Sequence, residues 1–298
     1  MIMGRLKNIP STSFRDMKVN LSELSIETTR KCNLACGHCM RGLKQNKSMD
    51  SRTLDNLIWQ LAHVDRLHIT GGEPFLEPDL IQQMAEQFGK PSDFEPDFNS
   101  WSLVTNGTKW NDKIAQALYE LNKAAQKNGM IYDTSFIGKL LDALGIRNSA
   151  TSTAQIAISD SQYHDEARKR ANISKQDFKK TTSAIKRHAK FLNAQFYPKY
   201  QFKGLLNMGN AKELDAKKID PYVEPKFRLI SLHKVLNVGG LVSVDVNGNV
   251  VPTCFSYEEQ EKNSFGNIND ESLSSILHRA VIDINDKPIK YETLANAK

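Results

Sequence analysis

Two hydrophobic periods alternate along the first two thirds of the chain. Apolar residues are contiguous, or alternate with polar ones, at 21–26, 65–70, 101–105, 154–159 and 195–202. Between these runs, apolar residues recur every three or four positions, as they do on one face of a helix. Strands that alternate with helices at this spacing favour parallel strands joined by right-handed crossovers. The pattern therefore predicts an α/β fold.

The helical period covers five stretches, at 50–62, 77–88, 110–127, 134–144 and 165–192. Asp50 and Ser51 offer oxygen atoms that can cap the first helix, and Pro78 suits the first turn of the second. Residues 172–174 predict a break in the last helix, because Asn172 and Ser174 favour helix ends.

The pattern changes after residue 210. Two strand-like runs within 241–254 flank Asn247-Gly248, a dipeptide that strongly favours a β-hairpin turn. A helix is expected to follow through Leu273 and Ile276, whereas the N-terminal residues show no period. The prediction is an N-terminal extension at 1–20, an α/β domain at 21–210 and a C-terminal extension at 211–298.

Composition places the chain among ordinary globular proteins, with 40% hydrophobic and 25% charged residues among its 298. No apolar run approaches the roughly 20 residues of a membrane span, and the N-terminus lacks a signal peptide's apolar core. Four cysteines, three of them clustered, do not form a disulfide framework. A reducing, cytoplasmic location without a membrane partner is expected. The net charge of +6 favours an anionic partner such as a nucleotide or nucleic acid.

Cys32, Cys36 and Cys39 stand in a short loop directly after the first predicted strand, with C-x3-C-x2-C spacing. Three thiolates suit zinc or an iron–sulfur cluster better than they suit hard cations. Structural zinc takes four protein ligands, whereas three thiolates leave one iron of a [4Fe–4S] cube open to an outside ligand. The alternative is a zinc knuckle with His38 as the fourth ligand, although neighbours such as His38 and Cys39 rarely bind one tetrahedral ion.

Two further motifs extend this observation. Gly71-Gly72-Glu73-Pro74 follows the second predicted strand, and Thr105-Asn106-Gly107 ends the third. Together with the three cysteines, these motifs resemble the radical S-adenosylmethionine (SAM) superfamily over the first third of the chain.

This resemblance implies a partial (β/α)6 TIM-type barrel in which the three cysteines hold a [4Fe–4S] cluster and SAM chelates its open iron. It also implies that an electron donor such as flavodoxin or ferredoxin drives reductive cleavage of SAM. The 5′-deoxyadenosyl radical that forms would abstract hydrogen from a substrate.

Ligands of (β/α) barrels lie at the carboxyl ends of the strands. The candidate SAM-binding residues at those ends are Gly71, Gly72, Glu73, Thr105, Asn106, Ser159 and Asp160. Glycines allow close approach to a ligand, and the Glu73 carboxylate is expected to accept hydrogen bonds from the SAM ammonium group. Asp160 or Ser161 could alternatively cap the next helix.

Further candidates follow from position alone. Tyr163 and His164 are expected to contact substrate, and Lys203, Asn207 and Asn210 are candidates for SAM or substrate binding.

The C-terminal extension resembles a trimmed SPASM/twitch-like region. It departs from that pattern because its single cysteine, Cys254, cannot anchor a further cluster. Cys254 is either an inert buried thiol or the donor that returns a hydrogen atom to a substrate radical, as in some radical SAM epimerases.

The sequence is compatible with several classes of substrate. A peptide or a sugar-like small molecule fits a short extension with one free thiol, whereas a nucleotide or nucleic acid fits the basic balance and the loop at 41–47. The alternative from another class is a non-catalytic zinc or nucleic-acid-binding module on a degenerate barrel.

Overall fold

A computed structural model describes residues 17–90, 96–127, 154–200, 205–206, 209–214, 218–223, 228–232, 235–251, 256–286 and 290–294. The helix predicted at 134–144 lies outside these residues, as do Cys254, Lys203, Asn207 and most of the predicted N-terminal extension.

The described residues form twelve strands. In chain order they are β1 (Val19–Glu27), β2 (Leu61–Thr70), β3 (Asp97–Thr105), β4 (Ala154–Ser159), β5 (Gln195–Tyr200), β6 (Leu205–Leu206), β7 (Lys218–Val223), β8 (Arg228–Leu232), β9 (Leu236–Val244), β10 (Asn249–Val251), β11 (Gly266–Asn267) and β12 (Lys290–Leu294). The seven α-helices are α1 (Ser51–Trp59), α2 (Pro78–Phe88), α3 (Asp112–Lys127), α4 (Gln162–Arg170), α5 (Lys175–Phe191), α6 (Tyr257–Lys262) and α7 (Leu273–Asp286).

The main sheet is parallel over its central part. Its strand order is β11-β10-β9-β1-β2-β3-β4-β5, with β8 also paired to β9. Neighbours from β1 to β5 are parallel, and β9 runs parallel to β1 on the other side. Strands of one direction joined by helices confirm the predicted α/β fold of the partial TIM-barrel type.

The sixth parallel strand comes from the predicted C-terminal extension. Leu24, Ser25 and Ile26 of β1 pair with Val242, Ser243 and Val244 of β9. The predicted hairpin is confirmed, since β9 and β10 are antiparallel around Gly248, which has a φ of +83°. The division of the chain at residue 210 stays a prediction, but the sheet runs across it.

Two element boundaries differ from the prediction. Leu61 and Ala62 begin β2 rather than end α1, because the chain turns at Gln60, whose carbonyl accepts a hydrogen bond from the Val19 amide. The third strand begins at Asp97 rather than Trp101, because β2 supplies a pairing partner in His63. Strand pairing thus extends a segment whose own residues favour a loop.

The helices begin, and the last predicted helix breaks, where the sequence predicted. Asp50 caps α1 by accepting a hydrogen bond from the Thr53 amide, and Pro78 is in the first turn of α2. The predicted break at 172–174 separates α4 from α5, with Asn172 at a φ of +55° and Ser174 capping α5.

The core lies between the parallel strands and the helices that connect them. Leu24, Leu67 and Trp101 are buried on successive strands, and Leu57 and Leu118 are buried on the helices. All the carboxyl ends of the parallel strands consequently meet at one edge of the sheet. None of the described helices combines the length and apolar character needed to cross a membrane.

Candidate functional site

Residues 28–48, which we call the cluster loop, leave the carboxyl end of β1 and return to the start of α1. The loop is closed at its base, since the Arg30 amide donates to the Lys47 carbonyl at 2.8 Å and the Gln45 amide donates to the Arg30 carbonyl at 3.1 Å. Thr29 and Ser48 also form a backbone bridge and share a hydroxyl hydrogen bond of 2.9 Å. The loop is therefore a closed unit that carries all three clustered cysteines.

The three thiols are free and half-buried. Burial, together with the fields of neighbouring anionic groups, raises the pKa of the Cys32 thiol to about 11 and that of Cys36 to about 12. Burial likewise raises the pKa of Cys39. Three buried thiols with raised pKa values form a donor set that a cationic metal centre would deprotonate. This chemistry fits an iron–sulfur cluster held by Cys32, Cys36 and Cys39.

In the described part of the chain, no three His, Cys, Asp or Glu side chains form a group that could hold a single metal ion. Ligands of one zinc ion must all lie within about 2.3 Å of it. The thiolates of a four-iron cube bind different irons, so they accept a wider spacing.

Asn210 holds the backbone of the cluster loop from outside. Its amide donates to the Cys39 carbonyl at 2.9 Å, and its side-chain Nδ2 donates to the Cys36 carbonyl at 3.2 Å. Gly209 is equally close, because a Cβ there would lie 2.4 Å from the Met40 carbonyl oxygen. Asn210, a sequence candidate for SAM or substrate binding, thus contacts the loop itself.

Gly71 and Gly72 pack directly on the cluster loop. A Cβ on Gly71 would lie 2.6 Å from the Thr29 carbonyl oxygen, and a Cβ on Gly72 would lie 2.4 Å from that of Lys31. The Gly72 amide donates to the Thr29 carbonyl, and the Glu73 amide donates to the Lys31 carbonyl. The observed close approach is therefore between two backbone segments, and binding of SAM by these glycines stays a prediction.

This packing predicts a large difference between two glycine-to-alanine variants. Gly72→Ala is expected to displace the backbone at Lys31 and to destabilise the protein by about 1–3 kcal/mol, as overpacking does. Gly37→Ala is the matched control, because a Cβ on Gly37 has no atom within 4 Å. Iron content after anaerobic reconstitution and the thermal midpoint should fall in Gly72→Ala only. Equal iron contents and equal thermal midpoints in the two variants would contradict the predicted steric clash at residue 72.

Glu73 is fully buried and joins the ends of β2 and β3. Its Oε1 accepts hydrogen bonds from the Phe75 amide at 3.1 Å and from the Thr105 hydroxyl at 2.7 Å. Its Oε2 accepts one from the Asn106 amide at 2.7 Å. Burial raises the pKa of Glu73 to about 7, although these three hydrogen bonds lower it. The expected contact with the SAM ammonium group stays a prediction.

Asn106 connects the end of β3 to the first cysteine. Its Nδ2 lies 3.8 Å from the Cys32 sulfur and 3.0 Å from Oδ1 of Asn33. Its Oδ1 accepts hydrogen bonds from the amide and hydroxyl of Thr108. The motifs after β1, β2 and β3 thus meet in one hydrogen-bonded group, which comprises Cys32, Glu73, Thr105 and Asn106.

Ser159 and Asp160 lie at the end of β4, farther along the same edge. The Asp160 carboxylate accepts a hydrogen bond of 2.7 Å from the Arg168 guanidinium. The residue that precedes α4 is Ser161, and no hydrogen bond from its side chain caps the helix; its hydroxyl bonds to the His164 ring at 2.9 Å. Ser161 is therefore the N-cap residue of α4, in agreement with one of the two alternatives, although its side chain forms no capping hydrogen bond.

Three aromatic side chains pack beside the cluster loop. The rings of His38 and Tyr163 are stacked with centroids 4.7 Å apart, and His164 meets His38 edge-on at 4.7 Å. Burial lowers the pKa of His38 to about 4 and that of His164 to about 3. Both rings are therefore neutral at pH 7. Within the described residues, His38 Nδ1 and the Tyr163 hydroxyl are buried without a hydrogen-bond partner.

A buried charge network next to the cluster loop was not predicted from the sequence. Arg30, which is fully buried, forms ion pairs with Glu27, Asp245 and Glu261. The only signal in the sequence was an arginine two positions before the first cysteine. Its partners beyond residue 240 could not be identified without the fold.

Profiles of two protein families match parts of this chain. The profile described as the radical SAM superfamily matches residues 26–127. This match confirms the predicted resemblance to the radical SAM superfamily over residues 26–127. The matched segment contains the three cysteines, the Gly71–Glu73 turn and the end of β3. The family is one of enzymes whose cofactors are a [4Fe–4S] cluster and SAM, and the donor set of the cluster loop fits that cluster.

A second profile, described as an iron–sulfur cluster-binding domain and named SPASM, matches residues 237–291 of this chain. This match confirms the predicted resemblance of the C-terminal region. Cys254 is the only cysteine in that stretch.

Curated relatives match over part of their length. The uncharacterized protein MJ0907 of Methanocaldococcus jannaschii is 34% identical over 106 residues, which are 34% of this chain and 36% of that protein. A GTP 3′,8-cyclase of Parasynechococcus marenigrum is 29% identical over 113 residues, which are 36% of this chain and 33% of that protein. The chain thus spans about a third of either relative.

The structure of BtrN in complex with AdoMet and 2-DOIA superposes with a TM-score of 0.47 at 17% identity. It covers 91% of this chain and 87% of that one.

Proposed function

We propose that this chain cleaves SAM reductively and uses the resulting radical to abstract hydrogen from a substrate. The observation that carries the proposal is the closed loop with three free thiols at the carboxyl edge of a parallel sheet. When bound, the [4Fe–4S] cluster supplies the electron that cleaves SAM to methionine and a 5′-deoxyadenosyl radical. Cys32, Cys36 and Cys39 hold the cluster and leave one iron for SAM.

The other candidate residues orient SAM in this proposal. Thr105 and Asn106 are fixed by the Glu73 carboxylate, which makes them rigid hydrogen-bonding groups beside Cys32. Oε2 of Glu73 accepts one hydrogen bond and keeps a lone pair for the SAM ammonium group. Ser159 and Asp160 are proposed to contact the ribose.

Formation of 5′-deoxyadenosine tests the proposal without knowledge of the substrate. Protein purified without oxygen and reconstituted with iron and sulfide is expected to convert SAM to 5′-deoxyadenosine and methionine once dithionite is added. A flavodoxin or ferredoxin should replace dithionite as electron donor. Protein that holds a complete cluster but neither binds SAM in a titration nor cleaves it would contradict the proposal.

Among substrates, we favour a peptide or a sugar-like small molecule whose carbon centre is epimerised, with Cys254 returning the hydrogen atom and the thiyl radical left on it taking up a proton and an electron from the same electron donor. Thiols are good hydrogen-atom donors, and the stretch matched by SPASM holds this one thiol. Cys254→Ala is then expected to leave SAM cleavage intact and to abolish the epimerised product. Product formed at an unchanged rate would exclude Cys254 as the donor.

A nucleotide or nucleic acid is the second candidate. Arg41, Lys44 and Lys47 carry positive charge on the cluster loop, and Lys44 and Lys47 are exposed. The relative named GTP 3′,8-cyclase supports a nucleotide. Binding that weakens steeply with added salt would favour nucleic acid.

A further inference from the structure

Arg30 closes the base of the cluster loop with both its backbone and its side chain. Its amide and carbonyl form the hydrogen bonds to Lys47 and Gln45 described above. Its guanidinium Nη1 also donates to Oε1 of Gln45 at 3.0 Å, and Nε donates to Oε2 of Glu27 at 3.3 Å. Because Cys32 is two positions away, movement of Arg30 would move the first thiol.

The same guanidinium is held by residues more than 200 positions later in the chain. Nη2 donates to Oδ2 of Asp245 at 2.9 Å and to Oε1 of Gln260 at 3.2 Å, and Nη1 donates to Oε1 of Glu261 at 3.1 Å. The guanidinium carbon lies 4.7 Å from the centre of the Tyr257 ring. Asp245 directly follows β9, and the other three residues are on α6, so two separate parts of the C-terminal region converge on Arg30.

A backbone contact reinforces this convergence. The Tyr257 amide, at the start of α6, donates to the Arg41 carbonyl of the cluster loop at 3.0 Å. Asp245 is itself held in place, because its Oδ1 accepts hydrogen bonds from the amides of Asn247 and Asn249 in the hairpin turn. The C-terminal region therefore reaches the loop from a rigid support.

We propose that the C-terminal region of this chain acts as a clamp on the cluster loop, with Arg30 as the positioning residue that connects them. The stretch matched by the iron–sulfur cluster-binding profile holds one cysteine, which cannot anchor a cluster of its own. Its described contacts with the loop include instead the two carboxylates, the amide and the ring that surround Arg30, and the hydrogen bond from the Tyr257 amide to the Arg41 carbonyl. The proposal rests on the role of the three cysteines as cluster ligands.

The hydrogen bonds made by the side chain at position 30 require an arginine. A guanidinium presents five N–H donors in a fixed plane, and here they reach four side chains besides Glu27. A lysine would keep the charge but would lose the planar fork. Partners outside a metal's own ligand shell typically change metal affinity by about 10–100-fold when they are removed.

Two variants and a matched control test the clamp. Arg30→Lys removes the fork, and the double variant Gln260→Leu/Glu261→Ala removes two C-terminal acceptors without altering the loop. Glu258→Ala is the control, because Glu258 is on the same helix and its carboxylate pairs with Lys262 instead. Each reconstituted protein is followed for iron content, for cluster loss in a chelator and for the electron paramagnetic resonance spectrum of the reduced cluster with and without SAM.

We expect Arg30→Lys and the double variant to lose the cluster about 10-fold faster than the wild type and to show an altered spectrum with SAM. Glu258→Ala should match the wild type. If Arg30→Lys does not fold, the double variant decides. A lower thermal midpoint with unchanged cluster lifetime and spectrum would overturn the clamp. These readouts do not require SAM cleavage, so failure of the clamp is distinguishable from failure of the proposed function.

Discussion

Replacing any one of Cys32, Cys36 and Cys39 with alanine is expected to abolish cluster binding and, with it, formation of 5′-deoxyadenosine. Three thiolates bind three of the four irons of a cube. A variant with two thiolates leaves two irons without a protein ligand, so it cannot retain the cluster in the same state. Iron should fall from about four per chain in the reconstituted wild type towards zero. The loss should exceed the roughly 10–100-fold effect of removing an outer partner.

A variant in the same loop provides the control. Leu43 is 81% exposed, so Leu43→Ala should keep both iron and activity. Circular dichroism separates loss of the cluster from loss of the fold. A single cysteine variant that retained a complete cluster and cleaved SAM would refute the ligand assignment, and one zinc per wild-type chain would support the zinc alternative.

Glu73→Ala is expected to have the largest effect on folding stability. The Thr105 hydroxyl and the amides of Phe75 and Asn106 would all lose their buried acceptor. Each such loss costs about 1–3 kcal/mol, so we expect the free energy of unfolding to fall by about 3–5 kcal/mol. Urea unfolding measures it, with Glu86→Ala, an exposed glutamate on α2, as the control expected to stay within about 0.5 kcal/mol.

Glu73 also predicts a pH dependence of stability. Burial raises its pKa in the folded state from 4.5 to about 7, so the folded protein binds a proton more tightly than the unfolded chain. The stability that tighter proton binding at Glu73 contributes to the folded state is fully present below pH 4.5 and is lost as the pH rises through about 7. Glu73→Gln cannot titrate and should lack this component. A wild type and a Glu73→Gln variant with parallel stability profiles from pH 5 to pH 8 would contradict the raised pKa.

For the glycines of the Gly71–Glu73 turn, the role predicted from the sequence differs from the contacts that the structure shows. The sequence predicted that they allow a ligand to approach. In the fold, the space that a side chain would need is filled by the carbonyls of Thr29 and Lys31. Both interpretations require glycine, and only the packing of two loops distinguishes them.

The secondary structure was largely predictable, and its errors have local causes. The two hydrophobic periods located β1, β4, α2 and α3, because these elements bury one face of a regular pattern. The boundary at Leu61 was wrong, since an apolar residue there fits both the end of a helix and the start of a strand. The strands β7 and β12 form a small separate sheet with β6, which no period in the sequence indicated.

The sequence by itself determined the spacing of the three cysteines in the cluster loop and the alternation of strands and helices. Both are local: ligand spacing and hydrophobic period are properties of neighbouring residues. Only the tertiary structure decided that β9 lies beside β1 and that Asp245, Gln260 and Glu261 converge on Arg30. A buried charge is stable only where it is paired, and besides Glu27 the carboxylates that pair with Arg30 are more than 200 residues away, a separation that no local pattern spans.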